Sequence, residues 1–189
     1  FGELLDADSD QLELSDLTVF EIEELMRMDK RVALPVLLYL FRRIERSLHG
    51  QPAVIILDEA WLMLGHPAFR DKIREWLKVL RKANCIVIMA TQSLSDAQNS
   101  GIFDIINESC PSKIFLPNPD ARATMDLYKG MGLNELEVET IATAEKKRHY
   151  YYTSPEGQRL YELAPQPFSM AVIAQSDKGF EDAARNAVL

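Results

Sequence analysis

At 189 residues, with 47% hydrophobic and 26% charged side chains, the chain has the composition of a soluble globular domain and the length for one well-buried core. Its net charge of −8 argues against chain-wide attraction to nucleic acid, although a local basic patch stays compatible with it. The longest apolar stretch, 32–41, is far shorter than a bilayer span. The two cysteines have no metal-ligand spacing and form no redox pair, and this cysteine usage favours a reducing, cytoplasmic setting.

The first half of the chain predicts a parallel sheet with helices. Alternating β-branched and aromatic residues over 18–23 predict a short strand, and a helix-period apolar face predicts a helix that starts near Pro35. An apolar strand follows at 54–57, and Pro67 then opens a helix with one apolar and one charged face. A second apolar strand over 85–90 completes a strand–helix–strand pattern, the βαβ unit of a parallel sheet.

The second half predicts shorter elements with clear caps and turns. Asparagine before a helix, proline at its first position and Pro–Glu–Gly between two strands are the signals used. The predicted elements are a strand over 113–116, a helix capped by Asn118 and ended by Gly130, a helix capped by Asn134 with Glu137, a β-hairpin over 149–163, a strand over 169–174 and a helix over 177–188.

Two adjacent carboxylates, Asp58 and Glu59, directly follow the first apolar strand. Ligands of open α/β sheets bind beyond the carboxyl ends of the strands, so the pair is predicted to lie at such a site. In a nucleotide hydrolase the first carboxylate of such a pair holds Mg²⁺, usually through water, and the second polarises the attacking water. The structural alternative is that Asp58 caps the next helix and Glu59 is a solvated residue of its first turn.

Gln92 stands at the carboxyl end of the second apolar strand, between Thr91 and Ser93. If the two strands are neighbours, its amide lies within reach of a γ-phosphate or of the attacking water. Helix capping needs only one of these three polar residues, and Ser93 suits it. A role for Gln92 in sensing nucleotide is therefore favoured.

Two arginines are further candidates. Arg81, followed by Lys82, stands in the last turn of the helix before the Gln92 strand, where positive charge complements the helix dipole. The functional alternative is an arginine finger that reaches a nucleotide bound to a neighbouring subunit. Arg122 follows the Asn118 turn and could approach a nucleotide, although an exposed helix arginine is the simpler interpretation.

No phosphate-cradling loop of the form Gly-x-x-x-x-Gly-Lys-Ser/Thr occurs in the 189 residues. Without such a loop the acid pair has no phosphate to address, so the loop is expected upstream of Phe1, a first residue that suggests an internal fragment. Loss of the loop's strand and helix is expected to uncover apolar sheet surface. The isolated chain is then expected to be marginally stable or to self-associate.

A family resemblance is carried by six segments: TVFEIEELM (18–26), PVLLYLFRRIE (35–45), VIILDEAW (54–61), IREWLKVLRKANCIVIMATQS (73–93), ESCPSKIFLPNP (108–119) and HYYYTSPEGQRLYEL (149–163). In this order they closely resemble the inner-membrane ATPases of type IV secretion and conjugation, the TrbE/CagE group. The resemblance runs over nearly the whole chain, and several of the motifs are specific to that family.

The resemblance implies a RecA-like P-loop NTPase core of the additional-strand class, with a mostly parallel sheet, flanking helices and a C-terminal β-hairpin. Residues 1–189 would form the C-terminal part of that single ATPase domain. Asp58 and Glu59 match the Walker B pair, Gln92 matches the glutamine of the following strand, and Arg81 lies where related ring ATPases place an arginine finger. The Walker A motif and a large docking domain would lie upstream. The fragment alone is therefore expected neither to bind nor to hydrolyse ATP normally.

The predicted function is that of an ATPase subunit that energises type IV secretion, conjugative pilus assembly and substrate transfer, using ATP and Mg²⁺ at subunit interfaces. Asp58 would hold Mg²⁺, Glu59 would activate water, Gln92 would sense the γ-phosphate, Arg81 would act in trans and Arg122 would contact nucleotide.

The expected particle is a homo-oligomer, a hexamer in the full protein, on the cytoplasmic side of the bacterial inner membrane. Its expected partners are other inner-membrane and cytoplasmic components of the secretion system. Two alternatives stay open. One is a ring translocase for duplex DNA or a coupling ATPase of the same superfamily, which the acidic charge disfavours. The other is a non-catalytic docking module that never had a P-loop.

Overall fold

The computed structural model describes residues 12–166 and residue 169, with the side chains of residues 61 and 62 excepted. The chain forms two compact units that divide between Cys110 and Pro111. The strand predicted over 169–174, apart from residue 169, and the helix predicted over 177–188 lie outside the described residues. The assignment of residues 1–189 to a single ATPase domain stays a prediction.

The first unit is built around a parallel pair of strands. β1 and β2 are joined in register from Ala53 opposite Cys85 to Leu57 opposite Met89, which confirms the predicted βαβ unit. The elements are α1 (Glu23–Arg27), α2 (Lys30–Ser47), β1 (Ala53–Leu57), α3 (Trp61–Leu64), α4 (Pro67–Val79) with a 3₁₀ turn (Leu80–Ala83), β2 (Cys85–Met89), α5 (Leu94–Asn99) and α6 (Phe103–Ser109).

The strand predicted over 18–23 is wrong. Residues 18–22 have no regular secondary structure, and Glu23 begins α1. Leu17 and Val19 are 82% and 81% exposed, whereas Ile22 packs against the core. A strand needs a neighbour for its backbone groups, and this segment pairs with no strand in the described part of the chain. Its alternating side chains alone are therefore not enough.

The position predicted for Pro35 near the start of a helix is also wrong. α2 begins earlier, at Lys30, because the Asp29 carboxylate accepts a hydrogen bond from the Arg31 amide at 2.8 Å. Pro35 lies inside the helix, where it removes one backbone hydrogen bond. The buried side chains of Leu37 and Phe41 follow it, and their burial stabilises the helix against that loss.

Aromatic rings join α2 to α4 in the core of the first unit. The ring of Phe41 lies with its centroid 5.8 Å from that of Phe69 and 4.6 Å from that of Trp76. Phe69, Ile73 and Trp76 are at most 2% exposed, which confirms the apolar face predicted for α4. One face of the β1–β2 pair, which includes Ile55, packs against this core.

The other face of the β1–β2 pair is uncovered. Val54 lies opposite Ile86 in the register, and Ile56 lies opposite Ile88. These four apolar side chains, which we call the bare face, are 56%, 63%, 67% and 48% exposed in that order. The bare face is the uncovered apolar sheet surface that the sequence led us to expect.

The second unit packs short helices beside an antiparallel sheet of order β3–β4–β5. The strand predicted over 113–116 exists, but it pairs with β4 rather than with the parallel strands. The predicted hairpin and both asparagine caps are confirmed. The elements are β3 (Lys113–Phe115), a 3₁₀ turn (Pro119–Thr124), α7 (Met125–Gly130), α8 (Glu135–Thr143), β4 (His149–Ser154) and β5 (Gly157–Glu162).

The chain is thus an α/β protein with a parallel strand pair and an antiparallel hairpin sheet. None of the helices in residues 12–166 combines the length and the apolar character that a membrane span requires.

Candidate active site

The carboxyl ends of β1 and β2 are tied together by backbone hydrogen bonds. The Ala90 amide donates to the Leu57 carbonyl at 3.0 Å, and the Ala60 amide donates to the Ala90 carbonyl at 3.1 Å. The turn after β1 and the segment after β2 are therefore held side by side. Polar residues on these two segments must lie at one edge of the sheet, where ligands of α/β proteins bind.

Glu59 and Gln92 meet at this edge. The Gln92 Nε2 atom donates a hydrogen bond to Glu59 Oε1 at 2.6 Å. Asp58 Oδ1 accepts a hydrogen bond from the Glu59 amide at 3.0 Å. Asp58 and Gln92 are exposed and Glu59 is half-buried, so all three groups are open to a ligand from solvent. We call these three residues the edge cluster.

Helix capping does not account for the edge cluster. Asp58 accepts its hydrogen bond from the very next residue rather than from the first turn of α3. Ser93 holds the N-cap position of α5, but its side chain makes no capping hydrogen bond, so the cap that the sequence suggested there is not formed. The Gln92 amide does not cap α5 either and bonds to Glu59 instead. The polar side chains at this edge are therefore available for a ligand.

The backbone of Glu59 has a conformation that the sequence did not predict. Its φ angle is +47°, in the left-handed region that residues with a side chain rarely adopt. Such conformations cost about 1–3 kcal/mol and cluster at functional sites. The sequence Asp-Glu-Ala contains no glycine that would have signalled this turn.

The chemistry of the edge cluster fits a magnesium ion bound together with a nucleotide. Mg²⁺ prefers oxygen ligands and is usually held by one or two carboxylates together with substrate phosphates and water. Asp58 and Glu59 supply such carboxylates. In the described residues no group of three or more His, Cys, Asp or Glu side chains converges on a metal position, so a closed all-protein cage is not formed there.

Arg81 lies at the opposite edge of the sheet from the edge cluster. It belongs to the 3₁₀ turn that leads into β2, so it precedes a strand whose far end carries Gln92. Five strand residues separate the two ends by about 16 Å. The Arg81 side chain is exposed, and it cannot reach the acid pair of its own chain. A contact between Arg81 and such an acid pair would therefore require a second copy of the chain.

Arg122 is engaged within the second unit. Its Nε atom donates to Glu139 Oε2 at 2.7 Å, and a second guanidinium nitrogen bonds the other carboxylate oxygen. The hydrogen bond from Arg122 holds the pKa of the Glu139 carboxyl below its usual range. A nucleotide contact by Arg122 stays a prediction, and it would require this ion pair to open.

Comparison with known proteins finds similarity to proteins of conjugative transfer and type IV secretion. The family model described as the TraG P-loop domain matches residues 1–155. The chain is 59% identical over 179 residues to a conjugal transfer protein TrbE of Rhizobium radiobacter, covering 94% of this chain and 22% of that protein. It is 35% identical over 144 residues to the type IV secretion system protein CagE of Helicobacter pylori, covering 76% of this chain and 14% of that protein.

The fold has a solved counterpart. The structure of VirB4 of Thermoanaerobacter pseudethanolicus superposes with a TM-score of 0.62 at 22% sequence identity, covering 80% of this chain and 42% of that one. The α/β arrangement described above is therefore similar to the fold of the matched part of that protein. This chain spans only 22% and 14% of the lengths of the TrbE and CagE proteins named above.

Proposed function

Because the chain belongs to the TraG P-loop domain family of type IV secretion and conjugative-transfer ATPases, we propose that it forms part of the site at which such an ATPase hydrolyses ATP. The edge cluster is the observation that carries this proposal. It brings two carboxylates and an amide from neighbouring parallel strands to one edge of the sheet, with Gln92 and Glu59 in hydrogen-bond contact at 2.6 Å. Hydrolysis would power pilus assembly or substrate transfer.

Each residue of the edge cluster has a proposed role. Asp58 holds Mg²⁺ through water, and the ion, when bound, neutralises charge on the phosphate oxygens. Glu59 orients the attacking water and takes its proton. The water oxygen bonds to the γ-phosphorus, and the bond from that phosphorus to the bridging oxygen breaks with its electron pair leaving on ADP. Gln92 contacts the γ-phosphate. The phosphate product finally receives the proton that Glu59 holds.

The working particle in this proposal is a homo-oligomer, with a hexamer as the expected form. The exposed position of Arg81 at the edge remote from the acid pair supports a role in trans, at the nucleotide of the neighbouring subunit. An arginine supplied in this way stabilises charge on the transferred phosphoryl group. Association with other secretion components at the cytoplasmic face of the inner membrane completes the proposal.

The assignment of Glu59 is tested in the full-length protein that contains this chain. Glu59→Gln keeps the size of the side chain but removes its capacity to take a proton. We expect nucleotide affinity to be retained and turnover to fall by about 100-fold or more. The matched control is Glu24→Gln, an exposed glutamate on α1, which should leave both unchanged. Normal turnover in Glu59→Gln would exclude a catalytic role for this residue.

The role of Arg81 is tested by mixing two inactive proteins. Arg81→Ala lacks the finger but has an intact acid pair, whereas Glu59→Gln lacks the base but has an intact finger. Mixed oligomers contain interfaces at which both residues are intact, so ATPase activity should partly return. Lys82→Ala, the exposed neighbour, serves as the control and should be active alone. If mixing restores nothing while each variant still assembles, Arg81 does not act across the interface.

A further inference from the structure

The hydrogen bond between Gln92 and Glu59 restricts what Glu59 can do. An ionised carboxylate only accepts hydrogen bonds, so the Gln92 amide must present its N–H₂ group to Glu59 Oε1, as the 2.6 Å contact has it. A general base needs an oxygen directed at the proton that it takes. In this arrangement Glu59 Oε1 accepts a hydrogen bond from an amide of its own chain, and that bond fixes the orientation of the carboxylate.

The backbone at Glu59 is held by hydrogen bonds, whereas the Gln92 side chain is exposed. The left-handed turn at Glu59 is held by the bond from its amide to Asp58 Oδ1 and by the bond between Ala60 and Ala90. Gln92 is exposed and lies outside β2, and its side chain makes this one hydrogen bond within the described part of the chain. Of the two partners, Gln92 is therefore the one that can change its contact.

We propose that this contact is a latch. Without a triphosphate, Gln92 holds the Glu59 carboxylate in a fixed orientation. With a triphosphate bound, Gln92 exchanges that carboxylate for an oxygen of the γ-phosphate, and Glu59 is released to act as the base. The exchange replaces one charge-assisted hydrogen bond by another, so it needs little energy. This inference rests on the proposed function, and Gln92 is in it a positioning residue for Glu59.

The latch predicts an energetic coupling that affinity measurements detect. In the wild-type protein Gln92 must leave Glu59 before it can bind the γ-phosphate, so the latch weakens triphosphate binding relative to diphosphate binding. Removing the Glu59 side chain abolishes this competition. It also removes a negative charge near the phosphates, and that second effect does not depend on Gln92.

A double-mutant cycle separates the two effects. The dissociation constants of ADP and of a non-hydrolysable ATP analogue, both with Mg²⁺, are measured for full-length wild-type protein, Glu59→Ala, Gln92→Ala and the double variant. We expect Glu59→Ala to raise the preference for the triphosphate about five- to tenfold more when Gln92 is present than when it is absent. This is the size of one hydrogen bond to a charged group that is partly open to water.

Two controls protect the measurement. Glu59→Gly removes the same carboxylate and also suits the left-handed backbone, so it should give the same coupling as Glu59→Ala. Gln98→Ala removes another exposed amide of the same unit and should give no coupling with Glu59.

The outcomes distinguish the latch from the function on which it rests. Equal effects of Glu59→Ala in the presence and absence of Gln92 would overturn the latch and leave the ATPase proposal intact. A full-length wild-type protein that binds neither nucleotide would overturn both. A Glu59→Ala protein whose preference for the triphosphate does not fall when Gln92 is also replaced would overturn the latch as well, since Gln92 then gains nothing from the γ-phosphate.

Discussion

A single carboxylate, that of Glu137, connects the start of α8 with the antiparallel sheet. Its Oε2 atom accepts a hydrogen bond from the Asn134 amide at 2.7 Å and completes a capping box. Its Oε1 atom accepts a hydrogen bond from the Tyr151 hydroxyl at 2.8 Å. Burial raises the pKa of Tyr151, and the bond to Glu137 raises it further.

The raised pKa of Tyr151 predicts a loss of stability at high pH. The unfolded chain has the ordinary tyrosine pKa of about 10, so the folded protein holds this proton more tightly. The stabilising contribution of Tyr151 is therefore complete below about pH 10 and decreases as the pH rises above it. Urea unfolding at several pH values should show wild type losing its advantage over Tyr151→Phe above that pH.

Tyr150→Phe is the matched control for this titration, because alternate strand residues point to opposite faces and Tyr150 stacks on Tyr161 instead, with ring centroids 5.5 Å apart. Its free energy of unfolding should follow that of the wild type over the same pH range. A constant difference between wild type and Tyr151→Phe at all pH values would contradict the prediction.

The edge cluster could largely be predicted at the scale of single residues. Asp58, Glu59 and Gln92 are polar residues that directly follow apolar strands, and parallel strands end at a common edge, so their proximity follows from the order of the chain. The left-handed turn at Glu59 could not be predicted, because it leads into the bond from the Ala60 amide to the Ala90 carbonyl, which forms only once the strands have paired.

At the scale of elements, Glu45 joins α2 to α4. Its Oε1 atom accepts a hydrogen bond from the indole nitrogen of Trp76 at 2.7 Å, and the ammonium group of Lys72 lies beside the same oxygen. Both charged side chains are about four-fifths shielded, with 21% and 22% exposure. Trp76 itself is 1% exposed, so its N–H group has no access to water.

Removing this carboxylate should therefore destabilise the first unit. Glu45→Ala leaves the buried indole N–H without an acceptor and should cost about 1–3 kcal/mol of the free energy of unfolding. Glu75 supplies the other carboxylate near Lys72, and its side chain is 55% exposed. Glu75→Ala should therefore cost at most about 0.5 kcal/mol. Urea denaturation of both variants checks the difference. Equal losses would mean that the bond to Trp76 does not matter.

Elements with a local cause were predicted well, and those that depend on distant partners were not. The capping box at Asn134 and the hairpin around Gly157 are specified by residues a few positions apart. Among residues 12–166 the segment 18–22 has no neighbouring strand, and α2 tolerates Pro35 because buried side chains further along hold the helix. The local sequence of a segment shows neither whether a neighbouring strand is present nor which side chains become buried.

At the scale of the whole molecule, the bare face predicts how the chain behaves in isolation. Exposed contiguous apolar surface promotes association, so the 189-residue chain should self-associate. The double variant Ile56→Thr, Ile88→Thr keeps β-branched residues in both strands but makes the face more polar. Sedimentation velocity over a range of concentrations should show less association for this variant.

Leu136→Thr is the control for the bare face, because Leu136 is 80% exposed but lies on α8, in the other unit. It should associate as the wild type does. In the full-length protein, where the bare face would be covered, we expect the Ile56 and Ile88 substitutions to be harmful. They should lower the free energy of unfolding there, because polar groups would replace buried apolar ones. Unchanged association of the double variant would show that another surface is responsible.

The family resemblance of the whole chain predicted its membership of the type IV secretion ATPases, which no single sequence pattern could do. It is confirmed by the match of the TraG P-loop domain to residues 1–155 and by the TrbE and CagE relatives. The pairing of β3 with the hairpin was not predicted, because a three-residue apolar strand suits either sheet. The choice is made by tertiary contacts such as the packing of Phe115 against Tyr128.

The register of β1 and β2 constrains the number of residues between the first paired residue of each strand and the edge cluster. Each strand has five residues, and the pairing that starts at Ala53 and Cys85 ends with both chains at the same depth. One residue inserted between Cys85 and Gln92 would shift the amide by about 3.3 Å and turn it to the opposite side of the sheet. Insertions around Gly50, before the pairing begins, leave that count intact. Related chains should therefore differ within β1 and β2 by substitutions only. Insertions and deletions should occur only before the first paired residue of each strand.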